Sequence, residues 1–221
     1  MKLAIRALIK FLLGIVLVGV MLFVPAGSMH YPNAWLFLGL LFLPMLIFGT
    51  VLLFKSPALL EKRLDAKEKE SAQKGVLAAA ALLFVAGFVV AGLDHRFGWS
   101  HVPSWVVCIA SLVLLASYGM YVEVMRENAY LSRSVKVEQG QQVVDTGPYG
   151  IVRHPMYAMT VWLFLSIPVV LGSWWSLLCF LPYVAVIVLR IGNEEKLLER
   201  ELEGYAEYKK RVKYRLFPWI W

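Results

Sequence analysis

Residues 156–189 read MYAMTVWLFLSIPVVLGSWWSLLCFLPYVAVIVL, and no charged residue interrupts them. Two apolar segments, 156–171 and 174–189, are separated only by Gly172 and Ser173. A connection that short makes them antiparallel neighbours, so the stretch predicts a helical hairpin. Its length and its lack of charge place it in a bilayer. The first segment is short for a full crossing, which predicts tilt or partial re-entry.

Upstream lie further apolar runs at 3–24, 34–54, 75–93 and 103–124. With the hairpin they amount to roughly six crossings. The chain is 60% hydrophobic and 17% charged, whereas a soluble domain is nearer half apolar and about a quarter charged. The expected fold is all-α: a polytopic transmembrane helical bundle with a C-terminal helical hairpin and an amphipathic tail helix. No repeat and no low-complexity linker divides it. The first run is read as an uncleaved span, because another membrane segment follows it and not a secreted domain.

The net charge is +7, but the cations are not those of a nucleic-acid binder. They sit beside apolar spans, where anionic headgroups account for them. Lys2, Arg6 and Lys10, the charged 55–74 loop (Lys55, Lys62, Arg63, Lys67, Lys69 and Lys74 beside Glu61, Asp65, Glu68 and Glu70), the 125–155 stretch and the tail after 189 hold nearly all of them. The turns at 25–33 and 94–102 hold almost none; Arg96 is the fixed cation there. The asymmetry predicts an even number of crossings with both termini in the cytoplasm. Cys108 and Cys179 lie in apolar runs, without a CxxC or a histidine neighbour. They read as small buried hydrophobes, not as a disulfide, a metal site or a nucleophile.

No metal-binding motif, GxGxxG turn or P-loop is present. The spans carry almost no ionisable side chains, which argues against a transporter or channel. The polar residues concentrate elsewhere. Residues 143–157 contain turn formers, Tyr149, Arg153, His154 and Tyr157, and the hairpin follows directly. After the hairpin come Arg190, Glu194 and Glu195. A hairpin returns the chain to its starting side, so these groups should line one pocket at the cytoplasmic mouth of the helix pair. Singly, each has an ordinary reading: a snorkelling arginine, belt tyrosines, acids favoured by a helix dipole. Their convergence is the argument. Beyond them, residues 194–212 are charged, with Leu198, Leu202, Tyr205 and Val212 near helical spacing. That pattern predicts one amphipathic helix along the membrane face or against the polar stretch.

The run Gly147-Pro148-Tyr149, then Arg153-His154-Pro155-Met156-Tyr157, then Arg190 with Glu194-Glu195, then Glu207-Tyr208-Lys209-Lys210-Arg211-Val212 resembles the isoprenylcysteine carboxyl methyltransferase family, grouped with the phospholipid methyltransferases. The likeness is to its bacterial members and covers about 127–221. The apolar runs make 1–124 four N-terminal membrane helices, and the resemblance implies a cofactor-binding catalytic region over 125–221. It implies S-adenosylmethionine as cofactor, at Tyr149, His154, Pro155, Met156, Tyr157 and Glu194, with the backbone of Val143 and Val144 along the adenine. Glu194 or Glu195 suits the cofactor's ammonium. The acceptor-orienting arginine falls on Arg190. The implied acceptor is a lipophilic small molecule or prenylated group carrying a carboxylate, which needs no general base. An amine acceptor, as in phospholipid N-methylation, would use His154 as base. A sterol-type reductase using NADPH is the alternative from another class, since those enzymes carry a similar His-Pro-x-Tyr segment. The bilayer is the one partner expected; nothing calls for an obligate protein partner.

Overall fold

The computed structural model describes residues 2–64, 71–128, 130–131, 137 and 139–221, without the side chains of Lys62 and residues 71–73. The acidic and basic residues predicted for the loop at 65–70 lie outside the described residues. Among those described there is no strand. The helices are α1 (Lys2–Ala26), α2 (Pro32–Lys55), α3 (Pro57–Leu64), α4 (Ser71–Phe97) and α5 (Ser104–Glu127). A 3-10 turn at Gly147–Gly150 precedes α6 (Pro155–Val170), α7 (Trp174–Phe180), α8 (Tyr183–Glu201) and α9 (Tyr205–Arg211).

Five stretches are long and apolar enough to cross a bilayer: α1, α2, α4, α5 and the stretch Trp174–Glu201 that α7 and α8 make up together. Ile5, Leu8, Leu12, Leu13 and Val16 on α1 are all more than half exposed. A helix face like that belongs against lipid. The chain is a multi-pass integral membrane protein. Cys108 is exposed and Cys179 half-buried, so the expectation of two buried thiols fails. Both lie on apolar helices, where hydrophobicity means facing lipid as readily as facing protein.

The core gathers Leu22, Phe37, Phe88, Leu114, Ile167 and Phe180 from six helices. Close backbone approach replaces hydrophobic drive as the organising force in lipid. A Cβ added at Gly92 of α4 would stand 2.6 Å from the Leu22 carbonyl of α1. One at Gly87 would stand 2.2 Å from the Phe180 ring.

α6 has 16 residues, about 24 Å of helix against about 30 Å of hydrocarbon. It nonetheless runs between the same two ends as α5, antiparallel to it and packed along it. The second arm of the hairpin is broken by Pro182 into α7 and α8. The single tail helix expected over 194–212 is also two pieces. Residues 194–201 finish α8, and Gly204, at φ 83°, turns the chain into α9.

At the end remote from the polar cluster, two turns are pinned by Asp94, which is 1% exposed. Its carboxylate accepts the Ser100 N–H at 2.7 Å, the Ser100 hydroxyl at 2.5 Å and the Ser173 hydroxyl. Ser173 also caps α7 by accepting the Ser176 N–H at 3.0 Å. Tyr31 adds its hydroxyl to the Leu171 carbonyl at 2.7 Å and stacks on His95. The near-absence of buried charge expected in the spans therefore has an exception in the last turn of α4. Asp94→Ala strands three donors at once. It is expected to cost about 2–4 kcal/mol and to lower the Tm in detergent by several degrees. Asp94→Asn, which keeps one acceptor, should recover part of that loss. A wild-type Tm in the alanine variant would show that the pin carries no weight.

Candidate functional site

Pro155 opens α6 in the first-turn position where a missing N–H costs nothing, with His154 as the preceding cap residue. The backbone before it is held from below. The Arg153 N–H donates to the Tyr214 carbonyl and the His154 N–H to the Arg215 carbonyl, each at 2.9 Å. Gly147, at φ 52°, lets the 3-10 turn close against Glu127 at the foot of α5. That turn delivers Tyr149, whose oxygen accepts the Asn128 amide at 3.0 Å. Its carbonyl accepts the Tyr208 hydroxyl at 2.8 Å.

These elements and the end of α8 enclose a polar cleft with about 820 Å³ of empty space, its open mouth included. Val143, Val144, Tyr149, His154, Pro155, Met156, Tyr157, Arg190 and Glu194 all line it. Arg153 lines it too, and so do Asn128, Gln142, Tyr205 and Tyr208, which the sequence reading did not single out as site residues. All of the lining residues lie after residue 127.

Glu195 is the expected site residue that the structure places elsewhere. It is 3% exposed and turned beneath the cleft. Its Oε1 accepts Arg153 Nε at 2.7 Å and lies 3.3 Å from His154 Nε2; its Oε2 accepts Arg215 Nε at 2.9 Å. Arg153 also donates to the carbonyls of Val212 and Lys213, at 2.7 and 2.8 Å. With 6% exposure, Arg153 does not snorkel to headgroups. Adjacent acids on a helix point about 100° apart, so one of the pair reaches the cleft and the other its foundation.

Glu194 faces the cleft and accepts the Tyr157 hydroxyl, while Arg190 Nε donates to the Tyr157 oxygen at 2.8 Å. The Arg190 guanidinium lies 5.8 Å from the Tyr157 ring centre. Met156, Tyr157 and Arg190 also line a second cleft, bounded by α3, α4, α5, α6 and α8. Its other walls include Val76, Leu77, Ala80, Val186 and Ile187. The charged groups among its described lining residues are both cations, Arg190 and Arg63; Arg63 stacks over Tyr121 at 5.1 Å. A polar chamber and a mainly apolar chamber thus share one wall.

Three phenols of the polar cleft, Tyr149, Tyr205 and Tyr208, are pushed above their ordinary range. Burial pushes Tyr149 up to about 12, Glu194 adds to the rise, and the Asn128 hydrogen bond and Arg63 oppose it. Burial first, then Glu195 and Glu194, raise Tyr205 well above the ordinary range, with Arg153 opposing. Tyr208 is raised chiefly by burial.

Part of the chain is similar to known proteins. The phospholipid methyltransferase family model matches residues 103–204. An uncharacterized protein, YpbQ, of Bacillus subtilis (strain 168) is 30% identical over 97 residues, 43% of this chain and 58% of that protein. The mouse (Mus musculus) Delta(14)-sterol reductase TM7SF2 is 30% identical over 99 residues, 40% of this chain and 22% of that protein. The chain therefore spans little more than half of the first relative and under a quarter of the second. The matched region holds α5, the hairpin and most of the polar cleft, and over residues 103–204 the chain is similar to the phospholipid methyltransferase family.

Proposed function

We propose that this chain is a membrane methyltransferase that binds S-adenosylmethionine in the polar cleft and takes a lipophilic carboxylate acceptor from the apolar one. The observation that carries this reading is the shared wall: Met156, Tyr157 and Arg190 border both chambers. Residues 1–124 then serve as membrane scaffold and one side of the acceptor chamber, and residues 125–221 as the cofactor-binding region. The lysine and arginine asymmetry along the sequence supports a cytoplasmic side for the site and both termini.

The cleft suits the cofactor. Glu194 offers a carboxylate for the ammonium. Tyr149, Met156 and Tyr157 offer aromatic and polarisable surface for the base and the sulfonium. The backbone of Val143 and Val144 lies along the same wall. When bound, the cofactor supplies a methyl group on a cationic sulfur. The protein's task is placement and exclusion of water. Arg190 orients the acceptor carboxylate by its planar fork, and Tyr157 holds Arg190 on one side and Glu194 on the other. An ionised carboxylate needs no proton removed. His154 is tied to Glu195, which fits a positioning role in the cleft better than that of a mobile base.

Calorimetric titration in detergent with S-adenosylhomocysteine tests the reading, with NADPH as the control that the sterol-reductase likeness requires. Saturable binding of the first and none of the second is expected. Glu194→Ala and His154→Ala should each weaken it by about tenfold or more. NADPH binding in place of S-adenosylhomocysteine would favour the reductase. Unchanged affinity in both folded variants would remove the cleft as the site.

A further inference from the structure

Tyr205 opens α9 immediately after the Gly204 turn. It lines the polar cleft, yet only 3% of it is exposed. Among the described residues its hydroxyl is the buried side-chain polar atom without a hydrogen-bond partner. Tyr208, one turn on, has satisfied its own hydroxyl at the Tyr149 carbonyl. An unpaired buried hydroxyl is costly, and folded proteins keep few of them. Phenylalanine would fill the same space without that cost. The hydroxyl therefore points to a partner from outside the chain.

The chemistry of that partner follows from the surroundings. A protonated phenol donates, so the partner is an oxygen or another acceptor. Glu194 and Glu195 both act electrostatically on Tyr205, as does Arg153. Tyr205 and Glu194 line the same cleft. An amino-acid ligand whose ammonium meets Glu194 carries its carboxylate on the same carbon. A carboxylate beside two acids needs a donor, with positive charge behind it.

We propose that Tyr205 is a cofactor-binding residue that donates its hydroxyl to the α-carboxylate of the amino-acid end held at Glu194. The proposal rests on the reading of the polar cleft as the S-adenosylmethionine site. Wild type and Tyr205→Phe are compared by calorimetry with two ligands. One is S-adenosylhomocysteine; the other is 5′-methylthioadenosine, which keeps the nucleoside and lacks the amino-acid end. The variant should bind the first about tenfold more weakly or worse and the second within about twofold of wild type. Unliganded Tyr205→Phe should melt at or above the wild-type Tm, because it discards an unpaired polar group. Unchanged affinity for S-adenosylhomocysteine overturns the proposal. Equal losses for both ligands overturn it too, since the contact would then be to the nucleoside. A lower Tm without ligand overturns it by revealing a partner within the fold. If wild type binds neither ligand, the cofactor reading itself has failed and takes this one with it.

Discussion

Glu195→Gln is expected to unfold the polar half of the molecule at a temperature on the order of 10 °C below wild type. The substitution keeps shape and removes charge. Glu195 and Arg153 are both nearly inaccessible, at 4% and 5% side-chain exposure. Arg215 and His154 lean on the same carboxylate. An amide has one acceptor oxygen, and its NH2 group would face a guanidinium donor. Breaking one partner of a buried pair costs about 3–5 kcal/mol, because the other charge stays behind uncompensated. Glu194→Gln is the control: Glu194 lines the cleft, and the loss of its charge should cost ligand affinity with little change in Tm. Thermal melts of both variants in the same detergent check the pair. A Glu195→Gln protein that melts with wild type would show that the ion cluster is not the foundation of the site.

Arg190→Ala is expected to lower turnover on an anionic lipid acceptor by about a thousandfold, while S-adenosylhomocysteine affinity stays within about threefold. Arg190 reaches the apolar chamber, where the other charged lining group among the described residues is also a cation. A carboxylate entering that chamber has Arg190 as its anchor nearest the wall. Losing the anchor leaves the acceptor bound by its tail and misplaced at its reacting oxygen. Arg190 also donates to Tyr157, so the alanine variant disturbs the wall itself. Arg190→Lys separates the two effects: it keeps the charge without the fork, and should fall between wild type and alanine. The assay uses a farnesylated cysteine derivative with a free carboxylate, beside calorimetry on the same preparations. Loss of cofactor binding in Arg190→Ala would move the residue to the other side of the wall.

The membrane helices were legible because a long apolar run has few alternatives in water. The hairpin was legible because two residues leave the chain nowhere else to go. The cluster around His154 and Glu194 could be placed because the hairpin brings its two flanks together. What stayed hidden were the roles of groups defined by tertiary contact. Glu195 looks like Glu194 in sequence, and only the helix rotation separates cleft from foundation. Arg215 lies in a short tail with no periodicity to mark it, yet it completes the ion cluster. Asp94 was read as the start of a turn, because nothing local shows that Ser100 and Ser173 will close on it. Tyr205 falls at helical spacing with Leu198 and Leu202, so it reads as part of an apolar face when it belongs to the wall of a polar site.

The shortness of α6 has a bearing on kinetics. With about 24 Å of helix against about 30 Å of hydrocarbon, α6 is too short to hold both ends at the headgroups; under the proposed function, a start drawn into the bilayer would bring the wall at Tyr157 and Arg190 to the acceptor. Pulling a chain out of lipid costs about 0.8 kcal/mol for each CH2. A recessed wall spares the acceptor that cost, because only its head has to reach Arg190. The quantity the protein senses is then the mole fraction of acceptor among lipids, not its amount per volume of water. Diluting vesicles with buffer would leave the rate per protein unchanged, whereas diluting the acceptor with inert lipid would lower it.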